Sequence, residues 1–139
     1  MAEVNIADLR VLVVDDNFVV RKLIELNLAN MGFKSIDVAG NSQEAQDKIS
    51  VTPYDIVFLD WNMPGKSGYA LMQEYREDRQ WDRIAFVMVT AESQERYVRE
   101  AVKAGATSYI TKPITPATFA EKVGKVLTWL ANRAPKAEA

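Results

Sequence analysis

Three short runs of β-branched and apolar residues limit the possible folds most: Arg10 to Val14 (RVLVV), Ile56 to Leu59 (IVFL) and Ala85 to Val89 (AFVMV). Their hydrophobicity is continuous and does not alternate. A strand of that kind is buried on both faces, as in a parallel sheet covered by helices. Two weaker runs, Ser35 to Ala39 (SIDVA) and Ser108 to Thr111 (SYIT), read as further strands. Between the runs lies helical spacing. Phe18 to Met31 repeats Val20, Leu23, Ile24, Leu28 and Met31 at three- and four-residue steps, with Asn17 as N-cap and Gly32 as stop. Asn41 to Ser50 turns Ala45 and Ile49 inward and ends before Pro53. Gly68 to Arg76 offers Leu71, Met72 and Tyr75; Ser93 to Ala104 offers Val98, Ala101 and Val102, with Gly105 as its stop. Pro116 to Arg133 lines up Phe119, Val123, Val126 and Leu130. Five strands alternating with five helices predict an α/β doubly wound parallel sheet with right-handed crossovers.

A chain of 139 residues suits one domain. Its expected bounds are 9–133, after an N-terminal extension, 1–8, in which Met1 to Ala7 carries little structure, and before a small polar tail, Ala134 to Ala139, that frays. Cysteine and histidine are absent, which excludes disulfides, thiolate nucleophiles, zinc–thiolate sites, imidazole bases and phosphohistidine on this chain. Seventeen basic residues scattered among 19 acidic ones argue against non-specific nucleic-acid binding. No apolar run nears the roughly 20 residues that cross a bilayer, so the expectation is a cytoplasmic protein without membrane contact.

Ligands of an open parallel sheet bind outside the carboxyl ends of its strands. Here the first strand ends in Asp15 and Asp16, the third in Asp60, the fourth in Thr90 and the fifth in Thr111 and Lys112. A lone Asp at a strand end is most often a turn or cap residue. Two adjacent acids after one buried strand, matched by a third after another, make a shared site the better reading. Close carboxylates repel by about 4 kcal/mol per pair at 4 Å in a medium of effective dielectric about 20, so they need a cation or a proton. With only oxygen donors at hand, Mg²⁺ suits, or Mn²⁺. Carboxylates, a hard cation, Lys112 and the Thr90 hydroxyl together make a phosphoryl-transfer site. Gly65-Lys66-Ser67 is not the end of a P-loop, because Asp60 stands where that motif needs its first glycine.

Four segments in order, Val11 to Asp16 (VLVVDD), Phe58 to Gly68 (FLDWNMPGKSG), Val87 to Glu92 (VMVTAE) and Ile110 to Pro113 (ITKP), resemble the receiver domains of two-component response regulators, above all the stand-alone, CheY-like ones of chemotaxis. The resemblance covers about Leu9 to Leu130 and implies the flavodoxin-like (βα)5 fold. It implies Asp60 as phosphoacceptor, and Mg²⁺ held by Asp15, Asp16, Asp60 and the backbone carbonyl of Asn62. Lys112 would pair with phosphoryl oxygens, Thr90 and Tyr109 would form the switch, and Pro113 would follow a cis peptide bond. Asn62 and Glu92 would control dephosphorylation, and the small Ala91 would leave the phosphate open to water and the signal short-lived. Tyr97, Tyr109 and Trp129 would mark an output face on the fourth helix, fifth strand and fifth helix; for Tyr97 and Trp129, completing the core is an equal alternative. The implied partners are a histidine kinase or histidine phosphotransfer protein and a downstream effector protein, met by a monomer that is no enzyme beyond its own phosphorylation and dephosphorylation.

Three other readings stand beside this one. A phosphate sink or phosphorelay shuttle would use the same residues without an effector. A Mg²⁺-dependent aspartyl-phosphate phosphatase would want Asp-x-Asp where this chain has Asp60-Trp61-Asn62. An FMN carrier would want a Ser/Thr/Gly-rich loop after the first strand, where this chain has Asp15-Asp16-Asn17-Phe18.

Overall fold

In the computed structural model, which describes residues 4–133, five parallel strands form one sheet in the order β2-β1-β3-β4-β5. The strands are β1 (Arg10–Val14), β2 (Ser35–Ala39), β3 (Ile56–Asp60), β4 (Ala85–Thr90) and β5 (Ser108–Thr111). The helices are α1 (Phe18–Met31), α2 (Ser42–Val51), α3 (Gly68–Arg76), α4 (Glu95–Lys103) and α5 (Pro116–Asn132). This is the doubly wound (βα)5 arrangement expected from the alternation of runs.

Burial explains why the central runs are continuously apolar. Along β1, Val11 and Val13 join Ile24, Leu28, Phe119 and Val126 under α1 and α5. Leu12 and Val14 join Ala45, Ile49, Leu71 and Met72 under α2 and α3. In β3, Ile56 and Phe58 face the first layer and Val57 and Leu59 the second. Every residue of β3 and β4 is buried, whereas edge strand β2 buries only Ala39 fully, which is why its run is the weaker.

Local signals set the helix ends. The Asn17 carboxamide accepts the N–H groups of Val19 and Val20, Asn41 accepts that of Glu44, and Gly32 closes α1 at φ 105°, in the left-handed region that suits glycine.

Several expectations need correction. The segment before β1 carries structure, since Ile6–Asp8 forms a 3-10 turn capped by Asn5, and Val4 and Ile6 pack on the core. Strands β3 and β4 run one residue further, through Asp60 and Thr90, because the sheet ladder continues to Asp60 opposite Val89 and to Thr90 opposite Thr111. Helix α4 starts at Glu95, not Ser93, and turns Tyr97 toward the core, while Val102 is 58% exposed. On α1, Leu23 and Leu26 are exposed, and Asn27 takes the inner position by donating to the Leu23 carbonyl at 2.8 Å. The tail 134–139 lies outside the described residues.

Gly68 holds the start of α3 against the carboxyl end of β3. A Cβ there would collide with the Asp60 carbonyl oxygen, a backbone atom that cannot swing aside. Its N–H donates to the Trp61 carbonyl at 3.0 Å, which fixes the close approach of the two elements. Gly124, inside α5, has nothing within 4 Å of its Cβ position. Gly68→Ala is therefore expected to cost about 2–3 kcal/mol by overpacking, and Gly124→Ala to add up to about 1 kcal/mol through helix propensity. Urea denaturation midpoints of the two variants check this opposition in sign.

Candidate functional site

The strand order reverses between β1 and β3, so their crossovers leave to opposite sides and open a crevice at the carboxyl edge. Asp15 and Asp16 follow β1 into that crevice and Asp60 ends β3 beside them. One carboxylate oxygen from each of the three lies within 4.8 Å of the others. Asp15 is 1% exposed and Asp60 6%, while Asp16 faces solvent.

Lys112 comes to the same place from the far edge of the sheet. Its Nζ donates to Asp15 Oδ2 at 3.0 Å and to Asp60 Oδ1 at 3.3 Å. Its backbone N–H donates to the Thr90 carbonyl at 2.8 Å, so the end of β4 positions it. The Lys112–Pro113 peptide bond is cis.

Burial pushes the Asp60 carboxyl up to about 6, and the Asp15 charge adds to the rise, against a smaller lowering by Lys112. Burial alone would lower Lys112, but its hydrogen bonds and charge contacts with Asp15 and Asp60 outweigh it and hold the ammonium above the usual lysine range. One ammonium thus faces three carboxylates. The donor set is all oxygen, crowded and under-neutralised, and it fits a hard divalent cation of the Mg²⁺ type.

Thr90 is buried, and its Oγ1 accepts the Glu92 N–H at 3.2 Å. The Glu92 carbonyl in turn accepts the Tyr109 hydroxyl at 2.6 Å, and Tyr109 is buried. Asn62 is exposed in the loop after β3, and Ala91 is exposed after β4. Trp61, next to Asp60, stacks on Tyr69 at 4.5 Å and meets the edges of Tyr97 at 5.6 Å and Tyr109 at 6.5 Å. Trp129 packs in the α1/α5 layer, on the opposite side of the sheet from Tyr97 and Tyr109.

Two features of the site were not read from the sequence. Tyr69, three residues before Met72 on α3, stacks on Trp61, a contact with the loop after β3 that spacing along the helix does not name. Arg21, in the second turn of α1, donates from Nη1 to the Asp15 carbonyl at 2.8 Å, and a helical Arg carries no mark of such a contact.

Because folding raises the Asp60 pKa from 3.8 to about 6, the folded protein retains a proton between those values that the unfolded chain has released. Stability from this group is therefore present at low pH and lost as pH rises through about 6. Asp60→Asn removes the buried charge. In metal-free buffer it is expected to be more stable than the unaltered protein by about 2 kcal/mol at pH 7.5, with the gain shrinking below pH 6 and gone near pH 4. Denaturant titrations across that range check it.

Comparison with known proteins bears on this geometry. The description "Response regulator receiver domain" matches residues 11–124. The chemotaxis protein CheY-3 of Vibrio cholerae serotype O1 is 35% identical over 125 residues, covering 86% of this chain and 92% of that protein. Chemotaxis protein CheY1 of Helicobacter pylori is 34% identical over 120 residues, covering 86% and 97%. The solved structure of chemotaxis response regulator CheY4 of Vibrio cholerae superposes with a TM-score of 0.78 at 27% identity, covering 85% of this chain and 98% of that one.

Proposed function

The chain belongs to the response regulator receiver domain family, and from that premise we propose that Asp60 accepts a phosphoryl group from a phosphohistidine on a partner protein. The observation that carries this reading is the Lys112 ammonium bridging Asp15 and Asp60 at 3.0 and 3.3 Å, beside the exposed carboxylate of Asp16. Asp15, Asp16, Asp60 and the backbone carbonyl of Asn62 would hold Mg²⁺, or Mn²⁺. When bound, the cation neutralises charge on the phosphoryl oxygens.

An Asp60 carboxylate oxygen attacks phosphorus in line, the bond from phosphorus to the donor's imidazole nitrogen breaks, and the nitrogen keeps that electron pair. The product is an acyl phosphate on Asp60 and a free histidine on the donor. Asp60 must be ionised to attack, and a cation held by Asp15, Asp16 and Asp60 would favour that ionised form over the proton that burial favours. Lys112 shifts from the carboxylates to a phosphoryl oxygen. Thr90 Oγ1 accepts from Glu92 and so keeps its own proton to donate to another. Asn62 and Glu92 border the attacking water's approach during hydrolysis, and the small Ala91 leaves that approach open.

Donor contact has a natural surface. Phe18, Val19, Leu23 and Leu26 are 61%, 71%, 38% and 61% exposed and run along α1 from the turn that carries Asp16. Exposed apolar stripes of this kind mark interaction sites, and a protein placing its histidine against Asp60 covers this one. Output runs by protein binding through the surface of α4, β5 and α5, beneath which Tyr97 and Tyr109 pack on one side of the sheet and Trp129 on the other. Trp61 links the acceptor to Tyr97 and Tyr109. The naming of two relatives as chemotaxis proteins supports an output of that type.

Beryllofluoride with Mg²⁺ is expected to change tryptophan fluorescence in the unaltered protein, and neither in Asp60→Asn nor in Trp61→Phe. A response that survives Asp60→Asn overturns the acceptor assignment. The double change Val19→Asp and Leu26→Asp is expected to slow phosphotransfer from the cognate phosphohistidine donor by about tenfold, a loss of about 1.4 kcal/mol of docking. Labelling by acetyl phosphate, which needs no docking surface, stays unchanged, as rapid-quench measurement of both reactions shows.

A further inference from the structure

The turn from β1 to α1 carries two of the three carboxylates, and its two acids are held very differently. Asp15 is bonded at every polar position. Its N–H donates to the Ala39 carbonyl at 3.1 Å, and its Oδ1 accepts the Asn17 N–H at 2.8 Å. Its Oδ2 accepts from Lys112 at 3.0 Å, and its carbonyl oxygen accepts Arg21 Nη1 at 2.8 Å. Asp16 is exposed, and among the described residues its side chain has no hydrogen bond or ion pair. Its direction is set only by the backbone it hangs from.

That backbone begins with the peptide plane joining the two residues. The Asp15 carbonyl and the Asp16 N and Cα move as one rigid unit. A donor fixed on the Asp15 oxygen therefore fixes where the Asp16 side chain starts. Arg21 is that donor, and it is itself restrained. Its guanidinium lies 5.6 Å from the Phe18 ring centroid, and Nη1 is 3.5 Å from where a Cβ on Gly40 would sit, at the start of the turn into α2. A charged donor makes a stronger bond than a neutral one, and a planar fork loses less freedom in making it.

We propose that Arg21 is a positioning residue for the cation site, holding the Asp15–Asp16 peptide so that the Asp16 carboxylate converges with those of Asp15 and Asp60. This rests on the reading that the three carboxylates bind a divalent cation. The alternative role for Arg21 has the opposite sign. As a bare positive charge near a dication it would repel the ion, and its removal would tighten binding. As a positioning residue, its removal loosens binding.

The test is a Mg²⁺ titration followed by Trp61 fluorescence in the unaltered protein, Arg21→Met, Arg21→Lys and Asp16→Asn, with thermal melts to confirm folding. Arg21→Met is expected to raise the Mg²⁺ Kd about tenfold, as loss of a group orienting a ligand does. Arg21→Lys keeps a charged donor and recovers most of the affinity. At saturating Mg²⁺, acetyl phosphate labels the methionine variant at the unaltered rate, a split between affinity and rate that a damaged fold would not give. Arg21→Gln, too short to reach the carbonyl, substitutes for the methionine variant if that one melts below the assay temperature. A Kd unchanged or tightened in Arg21→Met or Arg21→Gln, with Asp16→Asn weakened as expected, overturns the proposal alone. No Mg²⁺ response in the folded, unaltered protein overturns the cation reading and the proposal with it.

Discussion

Burial on both faces of the sheet is the constraint on which the rest of this protein depends. A strand covered by helices above and below has no place for a charged side chain along its length. Polar groups are driven to the strand ends, and the reversal of strand order between β1 and β3 opens the carboxyl end alone into a crevice. Asp15, Asp16, Asp60, Thr90 and Lys112 gather there because the covered middle of the central strands has no room for them. The opposite end holds its own polar groups with structural ties: Arg76 donates to the carbonyls of Gly105, Trp81 and Ile84, and Arg133 pairs with Asp55 at 2.9 Å.

Crowding three carboxylates has a cost, and the cost is what makes the site responsive. Lys112 offsets part of it, leaving Asp60 with its affinity for a proton raised and Asp16 without a partner of its own among the described residues. A group in that position responds strongly to an arriving cation or a new covalent charge. The hydrogen bonds from Glu92 to Thr90 and from Tyr109 to Glu92 join the site to β5 within two links. The stacked rings of Trp61 and Tyr69, with Tyr97 and Tyr109 at their edges, join it to α3 and α4. A change at Asp60 thus has packed and bonded neighbours to act on, in place of open solvent.

Much of this was legible in the residue order. Strand runs such as RVLVV and AFVMV need no partner to be recognised, since continuous β-branched residues say that both faces are covered. Helix α1 was legible at both ends because Asn17 and Gly32 are local signals. The α4 stripe misled at one position: Val98 and Ala101 pack on the core as their spacing suggests, but Tyr97 packs beside Trp61 as well and Val102 is left outside. Val4 and Ile6 join the core from a segment expected to be loose, because two apolar residues there are too few to give a periodicity to read.

The sequence by itself determined the layer order, the strand-end placement of the reactive residues and the missing histidine that makes any phosphohistidine chemistry a partner's contribution. These follow from local pattern and composition, which act through neighbours along the chain. Only the tertiary structure decided that Lys112 reaches Asp15 and Asp60 across 97 and 52 residues, that Gly68 must lack a side chain against the Asp60 carbonyl, and that Arg21 holds the peptide leading into Asp16. Such contacts depend on how the crossovers set one strand end beside another. No run of neighbouring residues encodes that distance; it exists once the sheet has assembled.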